Sequence, residues 1–180
     1  MQPIINTLLV TGCWALLGFG ASLIPAMEMY WIWGGVLAFV FLLVDFVAGW
    51  LLVAPEVERK LPGRFAIGVE QFVALTLRNR AKLPVRVLCY DGIPEAAVSE
   101  ELPWRGRIRA GGYAKVEYPV TITKRGMREF APAHLRVFSP LGFWIRKCRG
   151  GELQTTRVYP NYEPVLRYAL LAMDNRADQM

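Results

Sequence analysis

The chain has 180 residues, 54% of them hydrophobic, and a formal net charge of +6. One histidine and cysteines at 13, 89 and 148 leave no zinc-ligand spacing, and no phosphate-binding loop, Gly-x-Ser-x-Gly or His-Glu-x-x-His occurs. Charge is split sharply: residues 1–53 contain no Lys or Arg and only Glu28 and Asp45, whereas the rest carries all 21 basic residues and the 13 remaining acids, a net of +8.

Ile4 to Ile24 is a run of 21 residues without a charge, and Trp31 to Val53 a run of 23 with one. Each is long enough to cross a hydrocarbon core of about 30 Å at ~1.5 Å per residue. The sequence therefore predicts a transmembrane hairpin over 1–53, with helices at about 4–24 and 31–53. The first run has an alternative reading as a signal peptide, with "ASLIPAME" weakly cleavage-like, but Met1-Gln2-Pro3 offers no positive start. Tyr30, Trp31 and Trp33 suit a tip at the membrane–water boundary. Arg59, Lys60 and Arg64 after the second helix place the N-terminus and the soluble part in the cytoplasm.

A hairpin centred on residues 27–28 pairs positions summing to 55–56. One face of the first helix, Thr11, Ala15, Gly18 and Ser22, then meets Asp45, Phe41, Ala38 and Gly34 of the second. Small residues face small ones at two levels, as close packing in lipid favours. Thr11 is expected level with Asp45. An acid within a span is functional by default; the plainer readings are a hydrogen bond to Thr11, protonation, or reach toward the interface.

Residues 54–64, "APEVERKLPGR", read as a linker, and 65–160 as an all-β antiparallel, immunoglobulin-like sandwich. Val73, Leu75 and Leu77 alternate with Ala74, Thr76 and Arg78, and Val85, Val87 and Cys89 with Arg86, Leu88 and Tyr90. Tyr113 to Thr123 is a long strand with Val116, Tyr118, Val120 and Ile122 on one face; Pro119, on the other, marks an edge or bulge. Strands are also expected at Leu135–Phe138, Phe143–Lys147 and Gln154–Tyr159, and a short helix within 161–180. Between the strands, Arg125-Gly126 ends one, Pro132 and His134 occupy a crossing, and Ser139-Pro140-Leu141-Gly142 turns the chain. The glycines supply positive φ angles, and His134 reads as a loop hydrogen-bonder rather than a catalyst.

Arg125-Gly126, then Ser139-Pro140-Leu141-Gly142-Phe143, then Val158-Tyr159-Pro160, preceded by two membrane helices, resembles the proteins of domain-of-unknown-function family 58. That family commonly has Asp where this chain has Ser139. The resemblance implies that a charged motif and a von Willebrand factor A-like domain would follow near "MDNRADQM", so the chain is either a shortened member or an amino-terminal portion. It also implies partners: a MoxR-type AAA+ ATPase and a transglutaminase-like membrane protein.

Basic residues cluster as Arg105, Arg107 and Arg109; Lys124, Arg125 and Arg128; and Arg146, Lys147 and Arg149. Anionic lipid or an acidic partner are the functional readings, a solvated face the bland one, and nucleic acid ranks last because no fold signature for it is present. No cofactor, metal or catalytic residue is indicated. The expectation is a non-enzymatic scaffold in the bacterial cytoplasmic membrane that presents a cytoplasmic sandwich for protein–protein assembly. The alternatives are an accessory subunit of a membrane enzyme or transporter working through Asp45, and a tethered exported domain in which Cys89 and Cys148 could pair.

Overall fold

A computed structural model describes residues 1–161; the helix expected within 161–180 lies outside the described residues, Asn161 apart. Helix α1 (Ile5–Leu23) and helix α2 (Glu28–Leu51) form the hairpin. Both are apolar and long enough to span a membrane. Leu16, Phe19 and Leu51 are more than 70% exposed, on surfaces that suit lipid. Tyr30, Trp31 and Trp33 fall in the first turns of α2, which takes in Tyr30 as well as the two tryptophans.

Two indoles set the register of the hairpin. Trp14 and Trp31 stack at 5.0 Å with planes 6° apart. Each ring nitrogen donates to the other residue's backbone carbonyl, at 3.3 and 3.2 Å. The rings lie over glycines: a Cβ on Gly18 would stand 2.6 Å from Trp31 Nε1, and one on Gly35 2.5 Å from Trp14 Nε1. Facing positions therefore sum to 49 rather than 55–56. The expected packing of Gly18 and Ser22 on Ala38 and Gly34 is corrected accordingly. The turn is shorter and earlier than expected, because α2 starts at Glu28, and large rings filling glycine notches replace small residues facing one another. Gly34 has open space where a Cβ would go and lines a groove with Val10, Ala38 and Leu42. Ala15 and Phe41 are exposed.

The rest is a two-sheet sandwich. Strand β1 (Gln2–Pro3) precedes the hairpin; β2 (Glu56–Lys60), β3 (Phe65–Ala66), β4 (Glu70–Arg78), β5 (Val85–Gly92) and β6 (Ala97–Val98) follow it. Then come β7 (Trp104–Ile108), β8 (Tyr113–Ile122), β9 (Gly126–Phe138), β10 (Trp144–Gly150) and β11 (Gln154–Tyr159). In the first sheet β9 lies between β5 and a broken strand made of β10 and β11; β7 flanks β5, β1 flanks β10, and β3 runs parallel to β11. The second sheet is ordered β2-β4-β8-β6. All pairings but β11 with β3 are antiparallel. The fold is thus a pair of long apolar helices followed by an immunoglobulin-like β-sandwich.

Alternation places the core. Val73, Leu75, Leu77, Tyr118, Val120 and Ile122 point inward from one sheet; Val85, Val87, Cys89, Phe130, Leu135 and Val137 point inward from the other. Removing such side chains from water is worth about 1.5–3 kcal/mol each.

The expected linker is not one: β2 occupies Glu56–Lys60, and Leu52 is already part of the core. Two acids and two bases in five residues mask the alternation, because the inward position 59 is an arginine. Nor do Pro132 and His134 form a crossing; both lie within β9. Pro132 has no N–H, and it stands between the segments that pair with β11 (126–130) and β10 (133–138), where no ladder bond is required of it. Gly126, at φ 107°, and Gly142, at φ 84°, adopt the expected positive angles. Pro119 sits where β8 is uncovered, since β6 reaches only Thr121 and Ile122.

Candidate functional site: the joint between hairpin and sandwich

The turn between β9 and β10, residues 139–143, is gripped by both apolar helices. Asp45 is 1% exposed and one face of its helix carries it to this turn. Its carboxyl group accepts from Ser139 Oγ at 2.6 Å, from Leu141 N at 2.9 Å and from Phe143 N at 3.1 Å. Ser139, equally buried, also accepts from Phe143 N at 3.1 Å and Trp144 N at 3.0 Å. Buried polar groups unpaired in such a place would cost about 1–3 kcal/mol each; these are all paired.

Gly49 lies one turn beyond Asp45 on the same face. A Cβ there would come within 3.0 Å of Ser139 Cβ and 2.6 Å of Met1 Cε, so glycine lets the turn reach the helix. From the other helix, Thr7 Oγ1 donates to Phe143 O at 2.6 Å and Ile4 N to the same oxygen at 2.9 Å. Trp144 Nε1 donates to Leu42 O at 3.1 Å, and Arg146 donates to Trp50 O and Leu52 O at 3.0 and 2.9 Å. Gln2 and Pro3 add a strand to β10 opposite Ile145 and Trp144. The N-terminus, both helices and the first sheet are thereby one connected unit.

Thr11 is not Asp45's partner: its hydroxyl donates to Thr7 O and Leu8 O, at 3.0 and 3.1 Å. Ser22 likewise bonds back to Phe19 O. The partners of Asp45 lie 94 to 98 residues further along the chain, beyond the reach of any periodicity argument.

A second buried group locks the sheets together. Arg59 of β2 donates through Nε and Nη2 to Asp91 of β5, through Nη1 to Phe130 O at 3.2 Å, and through Nη2 to Ala131 O at 2.7 Å. The Tyr118 hydroxyl, from β8, also donates to Asp91. Gly92 N donates to Asp91 Oδ1 at 2.9 Å, so the carboxylate is fully saturated. Burial, and then the charge of Asp91, push the Tyr118 phenol up, and burial pushes the Cys89 thiol up to about 12. Such a satisfied pair fixes register rather than performing chemistry.

Cys89 and Cys148 stand on either side of Leu135 in adjacent ladders. Two strand spacings, about 9.6 Å, exceed disulfide reach, which removes the pairing considered for an exported domain. Among the described residues no group of three or more His, Cys, Asp or Glu could hold a metal ion.

The basic clusters separate. Arg105, Arg107, Lys147 and Arg149 share the outer face of the first sheet. Arg146 instead points to the end of α2, Arg109 lies past the end of β7, and Lys124, Arg125 and Arg128 gather at the opposite end of β9. His134 is exposed on the first sheet rather than in a loop. Of the remaining motif residues, Pro140 O accepts from Arg86 at 3.1 Å, Val158 is buried against the core and pairs with Gly126 and Phe65, and Tyr159 lies under the Arg157 guanidinium at 5.6 Å. Pro160 is exposed, past the end of β11.

No family model and no curated protein matches the chain. Solved structures similar to it include the ASH / PapD-like domain 7 of human CEP192, at 14% identity and TM-score 0.43 over 60% of this chain and 88% of that one. Others are the alpha-2-macroglobulins of Salmonella, at 13% and 0.45, and E. coli, at 15% and 0.47. In both cases the match covers 60% of this chain but only 7% of the other.

Proposed function

We propose that the chain is a non-enzymatic, membrane-anchored scaffold that holds its sandwich in a fixed pose against the bilayer for assembly with other proteins. The observation that carries this reading is the capture of the 139–143 turn by Asp45. A flexible tether would need no such contact, and a transport carboxyl group would not have all its bonding committed to a structural turn. In the reading by resemblance, Ser139 stands where members of the family have their own carboxyl group, and Asp45 supplies one from the helix instead. The same resemblance nominates a MoxR-type AAA+ ATPase and a transglutaminase-like membrane protein as partners, and the bacterial cytoplasmic membrane as the location. The basic residues after α2 favour a cytoplasmic sandwich.

The test joins topology to pose. A reporter active only in the cytoplasm, fused after Met180, should work. A cysteine pair at Ile4 and Phe143, whose backbone nitrogen and carbonyl lie 2.9 Å apart, should crosslink in membranes with Asp45 intact and poorly in Asp45→Ala. Periplasmic activity of the fusion, or crosslinking indifferent to Asp45, would overturn the reading.

A further inference from the structure

The ladder registers align the outward side chains of the first sheet into three rows. Nearest the 139–143 turn is Arg107, beside Arg86, beside Phe138. Next comes Arg105, beside Leu88, Arg136 and Lys147. The third row is Tyr90, His134 and Arg149. No acid occupies any of these positions, and among the described residues none of these cations is in an ion pair. Like charges opposite one another destabilise a sheet, so the fold keeps this face against its own interest.

The face is also stiff. Arg105 lies over the Phe138 ring at 5.8 Å and Arg136 over the Tyr90 ring at 5.2 Å. Arg86 is held by Pro140 O at 3.1 Å. Guanidinium groups held against aromatic rings are pre-organised donors that lose little freedom on binding.

We infer that this face binds an acidic protein surface; the inference rests on the scaffold reading and gives that partner its chemistry. Arginines 86, 105, 107, 136 and 149 outnumber the single Lys147, and forked donors suit paired recognition of protein carboxylates, whereas a lipid surface is served as well by lysine. Orientation agrees. β10 runs the same way as the end of α2, with Trp144 at Leu42 and Arg146 at Trp50 and Leu52. The rows therefore recede along the strand direction from the helix side, the third standing about 13 Å beyond the first at ~3.3 Å per residue. Such a face looks sideways, toward a neighbour on the same membrane. A second copy does not fit, since the part after residue 53 is itself strongly positive. Nucleic acid is disfavoured because the aromatic faces are covered by guanidinium groups and offer no stacking platform.

The experiment uses the full chain in neutral phosphatidylcholine nanodiscs, titrated with a fluorescent polyglutamate peptide and with a single-stranded oligonucleotide of equal charge. Polyglutamate should bind the native chain more tightly than the oligonucleotide. Arg105→Gln with Arg136→Gln should raise its Kd at least ten-fold, while Lys124→Gln with Arg125→Gln, the same charge loss at the far end, should stay within two-fold. Arg105→Glu with Arg136→Glu, which leaves four cations beside two acids on the face, should raise the polyglutamate Kd further still, and unchanged melting of each variant confirms folding. Equal loss in both glutamine variants, tighter oligonucleotide binding, or complete displacement of the peptide by anionic lipid in the disc would each overturn the inference. The Ile4–Phe143 crosslink does not depend on this face, so the scaffold reading survives a negative result here and fails separately.

Discussion

Asp45, six residues before the end of α2, and Ser139, in the turn that closes β9 onto β10, meet at 2.6 Å. The contact turns a costly residue in an apolar helix into the anchor of a soluble domain. It also explains why both flanks of the turn are glycine-dependent: Gly142 at positive φ to make it, and Gly49 on α2 to admit it.

Removing the Asp45 side chain should release the turn without unfolding the core, because its hydrogen bonds go to Ser139, Leu141 and Phe143 of the turn. Asp45→Ala should abolish hydrogen-exchange protection of the Leu141 and Phe143 amides, and Gly49→Val should do so by displacement. Amides of β4 and β8 should remain protected in both. The loss of three acceptor contacts corresponds to a few kcal/mol locally, at about 1 kcal/mol each. Retained protection at Leu141 would show that the turn stands without α2.

The Arg59–Asp91–Tyr118 group should respond asymmetrically. Asp91→Ala leaves a guanidinium buried without its counter-charge, a class of change that costs about 3–5 kcal/mol. Tyr118→Phe removes one hydrogen bond to a charged group, about 1.5–3 kcal/mol. Denaturant titration of the full chain in micelles should therefore rank Asp91→Ala well below Tyr118→Phe. Equal effects would mean that the pair contributes only packing.

The sandwich was readable in the sequence wherever alternation ran uninterrupted, as in Val73-Leu75-Leu77 and Val85-Val87-Cys89. It was hidden where an inward position was polar. Arg59 made β2 look like a charged linker, although an arginine is welcome inside once Asp91 arrives from β5, 32 residues on. The same is true of the joint. A lone acid in the second apolar run was visible, and so was glycine four residues later. Their partner was not, because a turn nearly a hundred residues away supplies it. The register of the hairpin failed for a different reason: small residues at helical spacing looked like the contact, and nothing in the pattern says that indoles will fill two glycine notches first.

Cys89 supplies a pH test. Burial raises its thiol from an ordinary 9.0 to about 12, so the folded state favours the neutral form. The stabilisation is complete below the unfolded value and is lost as pH rises from 9.0 toward about 12, because only the unfolded chain ionises there. Stability measured between pH 8 and 11 should fall more steeply in the native chain than in Cys89→Ala. Thiol reagents should label Cys89 only after unfolding, and oxidant should not join it to Cys148. Rapid labelling at pH 8 would show that the core is open.

The last prediction concerns the hairpin. If the Trp14–Trp31 stack sets the register, then space over Gly18 and Gly35 is what the hairpin requires, and Gly34 is free. Gly18→Leu and Gly35→Leu should each unstack the indoles and shift tryptophan emission in micelles, because a side chain there occupies ring positions. Gly34→Leu should shift emission less and leave the indoles stacked, because it points into an open groove beside the rings rather than into the space they fill. Cysteine pairs read the geometry directly in a chain whose own cysteines are replaced. A pair at 11 and 38, which line one cavity between the helices, would sit at one level and should crosslink; a pair at 15 and 41 is displaced by seven residues, about 10 Å along a helix at ~1.5 Å per residue, and should not. Efficient crosslinking at 15 and 41 would restore the small-residue register and remove the indole pair from its place in the hairpin.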